Sequence, residues 1–127
     1  MPIPRATIAV VDDDAGVRTA IRQLLRSAGF DALAFGSAEE FLASSEQSGV
    51  QCVIADINLP GMSGVALVRV LSANGAPNPK CVLITGRDDL HTLELLSHAG
   101  GVPMLRKPFS DEALFEAIQV RDGNGTR

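Results

Sequence analysis

Apolar residues along this chain come in two rhythms. The first is a set of short continuous runs, each closed by a polar group or a turn. Such runs suit strands buried on both faces of a parallel sheet. They read Ala6 to Val11, Asp31 to Phe35, Cys52 to Ala55, Lys80 to Thr85 and Val102 to Leu105. The second rhythm is helical. Val17, Ala20, Ile21, Leu24, Leu25 and Ala28 share one face of a first helix, stopped by Gly29. Phe41 and Leu42 lie in a second helix, opened by the capping box Ser37-Ala38-Glu39-Glu40. Val65, Val68 and Leu71 mark a third, capped by Ser63. Leu90, Leu93 and Leu96 mark a fourth, which starts at Asp88 or Asp89 and ends at Gly100 and Gly101. Leu114, Ala117 and Ile118 belong to a fifth, capped by Ser110, with Asp111 and Glu112 favouring its first turn. Pro103 demotes the fifth strand to an edge. Residues 45–51 and Ala73 to Pro79 read as loops, and Asp122 to Arg127 as a frayed tail.

Strand and helix alternate five times. That order predicts one α/β domain over residues 1–121, a doubly wound parallel sheet with right-handed crossovers and a helical layer on each face. In such sheets ligands bind just outside the carboxyl ends of the strands. Chemistry collects at those ends here. The first strand runs into Asp12, Asp13 and Asp14, the third into Asp56 and the breakers Pro60, Gly61 and Gly64. The fourth ends at Thr85 and Gly86, and Lys107-Pro108-Phe109 follows the fifth. Carboxylates packed together need a cation or take up protons. A hard divalent ion such as Mg²⁺ binds through oxygen and keeps several waters. It could bridge Asp12, Asp13 and Asp56 to a phosphoryl oxygen, with Thr85 and Lys107 holding the others and Asp56 as nucleophile. Asp14 reads only as the start of the first helix.

Composition narrows the classes. With 127 residues, 46% of them apolar and 20% charged, the chain suits one ordinary core. The net charge of −4 disfavours a non-specific grip on nucleic acid or anionic membrane. No apolar run is long enough to span a bilayer and no signal peptide opens the chain, so a cytoplasmic protein is expected. Two cysteines, Cys52 and Cys81, are too few for a disulfide scaffold. They are expected to be buried and reduced, and to be neighbours if the third and fourth strands end level.

The motifs Val10-Val11-Asp12-Asp13-Asp14, Asp56-Ile57-Asn58-Leu59-Pro60-Gly61-Met62-Ser63-Gly64, Thr85-Gly86 and Lys107-Pro108-Phe109 together resemble the receiver domain of two-component response regulators. The match covers roughly residues 6–121. Ser37-Ala38-Glu39-Glu40-Phe41-Leu42 and Pro60-Gly61-Met62-Ser63-Gly64 are similar to receivers of the nitrogen-fixation regulator type. The resemblance implies a chemotaxis-receiver-like, flavodoxin-like sheet in the order 2-1-3-4-5 with five helices. It implies Asp56 as phosphoacceptor and Mg²⁺ as cofactor, for which Mn²⁺ could substitute. Asp12 and Asp13 would be the acid pair, Asp13 favoured as direct ligand, and Asn58 would offer its main-chain carbonyl. Thr85 would be the switch hydroxyl and Lys107 the phosphate-binding amine, aimed by a cis bond to Pro108. The implied partners are a sensor histidine kinase or phosphotransfer protein. An output domain or partner protein would meet the face made by the fourth helix, fifth strand and fifth helix. Catalysis would extend only to the domain's own phosphorylation and dephosphorylation.

One position departs from that pattern. Where such receivers usually carry Tyr or Phe, three residues before the lysine, this chain has Met104, and it has no Tyr at all. A flexible, apolar side chain there should couple the Thr85 movement to the outer face only modestly. Arg87, two residues after Thr85, is expected at the pocket mouth, modulating the life of an acyl phosphate. His91 and His98 lack ligand partners at suitable spacing and read as surface residues; the Leu90, Leu93, Leu95, Leu96 cluster reads as mostly core, with a partner surface the alternative for its surplus leucine. Two other classes remain. An aspartyl-phosphate hydrolase of the haloacid dehalogenase kind wants a second Asp where Asn58 stands. A phosphate-free binding module would be expected to lose Asp13, Asp56 or Lys107, and all are present.

Overall fold

In the computed structural model, residues 6–45, 49–73, 79–86 and 102–119 are described. They form β1 (Thr7–Val11), α1 (Ala15–Ser27), β2 (Asp31–Phe35), α2 (Ala38–Ala43), β3 (Cys52–Asp56), α3 (Gly64–Ala73), β4 (Lys80–Thr85), β5 (Met104–Arg106) and α4 (Asp111–Gln119). The expected helix after β4, with Arg87, His91, His98 and its leucines, lies outside the described residues, as does the tail from residue 122. Four of the five expected helices are therefore seen.

All strands pair parallel, in the order β2-β1-β3-β4-β5. The continuous apolar runs are buried on both sides, because successive side chains point to opposite faces. Ala9, Val11, Val53 and Ala55 face one core, with Phe41 of α2 and Val65, Val68 and Leu71 of α3. Ile8, Val10, Ile54, Val82 and Ile84 face the other, with Ile21 and Leu25 of α1 and Leu114 and Ile118 of α4. The chain winds in both directions from β1, so the two central strand ends open into one crevice.

Local chemistry places the helix starts. Asp14 is the N-cap of α1, its carboxylate accepting from the Gly16 and Val17 amides. Ser63 and Ser110 accept from Ala66 and Ala113, as their positions predicted. Ser37 caps α2 through the Glu40 amide, but Glu40 reaches back to the Gly36 amide at 2.7 Å rather than to that of Ser37. On α1, Ala20 and Ala28 are exposed, so the buried stripe is narrower than the spacing suggested. Gly29 ends that helix at φ +96°, a conformation L side chains rarely adopt.

Three further expectations meet the structure. β5 is an edge strand, but it starts at Met104, after Pro103; the proline has no N–H to give, and its carbonyl still accepts from Leu83 at 2.9 Å. The Lys107–Pro108 bond is cis, as expected. The cysteines form no disulfide, but they are not neighbours on one face. The register pairs Cys52 with Lys80 and Val53 with Cys81, a shift of one residue that sends the two thiols to opposite sides of the sheet. Cys52 is buried and Cys81 half-buried.

Candidate functional site

The strand register builds the site in steps. Val11 pairs with Ala55, so Asp12 follows β1 at the level of Asp56 on β3. Asp56 pairs with Ile84, so Thr85 stands one residue further along. Thr85 pairs with Arg106, so Lys107 begins one residue beyond that. The long lysine side chain covers the difference. Its Nζ donates to Asp56 Oδ2 at 2.9 Å and lies 3.1 Å from Asp12 Oδ2.

The two acids are held differently. Asp56 Oδ1 accepts from the Asn58 amide at 2.8 Å, so both of its oxygens have partners. Asp12 is wholly buried; its Oδ1 accepts from the Asp14 amide at 2.9 Å. Its Oδ2, though close to Lys107, lies outside hydrogen-bond geometry and has no hydrogen-bond partner. Burial raises the Asp12 carboxyl above its ordinary value; the Asp56 charge adds to this, while the Asp14 amide and Lys107 oppose it. Burial works against the Lys107 ammonium, but the hydrogen bond to Asp56 and the charges of Asp56 and Asp12 outweigh it, and its pKa is raised. Lys107 is therefore an ammonium at neutral pH.

Asp13 is exposed beside the pair, and Asp12, Asp13 and Asp56 each offer an oxygen within 4.8 Å of the others. Three hard donors around a buried oxygen lacking a hydrogen bond fit an oxygen-seeking divalent cation. Thr85 is buried, its Oγ1 3.4 Å from the Asn58 amide nitrogen Nδ2. The structure thus brings Asp12, Asp13, Asp56, Asn58, Thr85 and Lys107 together. Met104 stands apart on β5, 42% exposed, the one large exposed apolar side chain among the described residues. Arg87 lies outside them.

Sequence reading missed several supporting groups. Arg18 on α1 donates to the Asp12 carbonyl at 2.8 Å. Glu39 on α2 accepts from the Met62 amide at 2.9 Å, reaching across to the loop that follows Asp56. Gly64 packs its backbone against the end of β3, where a Cβ would stand 2.4 Å from the Asp56 carbonyl oxygen. The Asn58 side chain, beyond its main chain, faces Thr85. Gly64, Glu39 and Asn58 stood in the quoted motifs, but the contacts they make did not follow from the sequence.

A fold and a crevice of this kind are those of the receivers of two-component signalling. The chain belongs to the response regulator receiver domain family, whose profile matches residues 8–119. It is 35% identical over 114 residues to nodulation protein W of Bradyrhizobium diazoefficiens, a match covering 90% of this chain and 50% of that protein. It is 35% identical over 112 residues to the transcriptional regulatory protein FixJ of the same organism, covering 88% and 54%. The crystal structure of FixJ-N superposes with a TM-score of 0.78 at 31% identity, over 98% of this chain and 99% of that one. These relatives bear out the likeness to nitrogen-fixation regulators. The chain spans about half the length of the curated relatives it matches.

Proposed function

We propose that Asp56 is the phosphoacceptor of this receiver, charged by a histidine kinase or phosphotransfer protein in the cytoplasm. One observation carries the reading: the Asp56 carboxylate is oriented through both oxygens, by the Asn58 amide and the Lys107 ammonium, next to two further acids. A carboxylate oxygen attacks phosphorus, a new O–P bond forms, and the donor leaves with the electron pair of the broken bond. Lys107 turns from the carboxylate to a phosphoryl oxygen, and the Thr85 hydroxyl donates to another. Asp12, Asp13, Asp56 and the Asn58 carbonyl would hold Mg²⁺, or Mn²⁺ in its place. Bound there, the ion neutralises charge on the acids and the phosphoryl group.

Access fits a protein donor. A groove of about 880 Å³ opens beside Gly86 and Lys107, walled by Val17, Ile21, Leu24 and Phe109. An apolar rim next to a charged centre suits a docking protein that must deliver its phosphoryl group to Asp56. Among the described residues no helix is long and apolar enough to cross a membrane. The domain acts as a switch and catalyses only its own phosphorylation and dephosphorylation. Met104, exposed on the edge strand, gives the output face little to exchange between states, so coupling rests more on the segment after Thr85.

Mass spectrometry after treatment with acetyl phosphate and Mg²⁺ tests the reading. One added phosphoryl group, absent from Asp56→Asn, is the expected result. Uptake that survives the substitution, or no uptake by the wild-type protein, overturns it.

A further inference from the structure

The geometry points to Glu39 as a positioning residue that clamps the loop after Asp56 and so sets how well the site holds a divalent cation. This rests on the functional reading above and deepens it. The loop from Ile57 to Ser63 carries Asn58, which orients Asp56 Oδ1 through its amide and faces Thr85 with its side chain. At its near end the loop is pinned to the sheet: the Ile57 amide donates to Ile84 at 2.8 Å, and Gly64 donates back to Ile57 at 3.1 Å. The crest of the loop, at Gly61 and Met62, lies beyond both of these bonds. There the hold comes from another element altogether, the first turn of α2, where Glu39 Oε2 accepts from Met62.

The shape of the loop matches that hold. Gly61 has φ +74°, and a Cβ built on it would stand 2.6 Å from Glu39 Oε2. The left-handed turn thus presents a bare backbone to the carboxylate, and the next amide points at it. Both neighbouring acids of α2 are spent on loops: Glu40 holds Gly36, and Glu39 holds Met62. The Met62 amide, with Glu39's own, holds the Glu39 carboxyl below its ordinary value, as expected for an acceptor used in its charged form. An exposed acid that contributed only surface charge would have no reason to meet an amide 23 residues away in sequence.

Cation affinity is the property such a clamp should set, because supporting hydrogen bonds fix the ligands that touch the ion. Releasing the crest frees the Asn58 backbone between Asp56 and the turn. Isothermal titration of the whole chain with Mg²⁺ separates the clamp from simple charge. Glu39→Ala should weaken Mg²⁺ binding by roughly tenfold, while Glu39→Gln, which keeps an acceptor oxygen and loses the charge, should stay within about twofold of wild type. Both variants should melt within a few degrees of wild type in Mg²⁺-free buffer, since Glu39 is exposed. Equal loss in the two variants would assign the effect to charge and overturn the clamp. Unchanged affinity in Glu39→Ala, or a drop in melting temperature large enough to account for weaker binding, would also overturn it. A wild-type protein that binds no Mg²⁺ would remove the cation site and the clamp with it, whereas wild-type binding indifferent to Glu39 would remove the clamp alone.

Discussion

The ends of β1 and β3 lie side by side, and each delivers an aspartate to the same ammonium, yet the two are built on different terms. The β1 end is held by side chains. Asp14 turns the chain into α1, and Arg18 grips the Asp12 carbonyl from one turn further on. The β3 end is held by backbone, with Gly64 pressed against the Asp56 carbonyl and a glycine turn beyond it. Their carboxylates differ accordingly. Asp12 is sealed, with one oxygen lacking a hydrogen bond and a raised pKa. Asp56 is satisfied at both oxygens. A buried acid that is ion-paired but not fully hydrogen-bonded still carries a desolvation cost, which a cation offsets. An acid fully oriented by donors is poised to react. On the proposed function, the pair divides two tasks, holding charge and making a bond.

The largest expected effect lies in the reaction. Asp56→Asn should take up no phosphoryl group from acetyl phosphate. Asp12→Asn should still do so, slowed on the order of 10–100-fold by a weakened cation site. Equal loss in the two, read as the initial rate by mass spectrometry, would erase the division of tasks.

Stability should separate the ends next. Gly64→Ala forces a Cβ into the Asp56 carbonyl and should cost about 2–3 kcal/mol. Arg18→Ala removes one charge-assisted hydrogen bond at a half-exposed position and should cost about 1 kcal/mol. Urea denaturation of both variants would measure this, and a larger loss for Arg18→Ala would invert the description of how each end is held.

A smaller effect carries the opposite sign. Because the folded Asp12 carboxyl titrates above its ordinary value of 3.8, the folded state binds more protons than the unfolded one just above that pH. Its contribution to stability is full below 3.8 and is lost as pH rises through the folded pKa. Asp12→Asn should therefore raise Tm at neutral pH without Mg²⁺. Mg²⁺ should shrink that advantage, because it stabilises the wild-type form by binding it. A variant that melts lower than wild type in Mg²⁺-free buffer would contradict the strain assigned to Asp12.

The smallest effect is a control away from both ends. Burial pushes the Cys81 thiol up to about 11 from 9.0. Native labelling should be slow at pH 8 and speed up as pH climbs toward 11, while denaturant should make it fast at once. The same shift removes a little stability between pH 9 and 11, since the unfolded thiol ionises first. Fast native labelling at pH 8 would show that the thiol is not shielded.

How much of this was legible in the sequence follows from what each feature depends on. Asp12, Asp56 and Thr85 announced themselves because each closes a continuous apolar run, and Lys107 because it follows the last such run in a Lys-Pro-Phe turn; strand ends in a doubly wound sheet converge by topology. The caps at Ser37, Ser63 and Ser110 were legible because they are local. Register was not, since it is fixed by packing between elements far apart in sequence. The assumption of level ends for β3 and β4 therefore misplaced Cys81. Arg18 and Glu39 were invisible for a related reason: each meets a main-chain group, which carries no residue-specific signal.

The one-residue offsets along the crevice also make it a gauge of height. Asp12 and Asp56 form its floor, the threonine level lies about 3.3 Å up and the lysine backbone as far again. On the proposed function, a phosphoryl group added to Asp56 has that first interval to cross before it meets Thr85 on β4. On that reading, the stature of the adduct decides whether β4 responds.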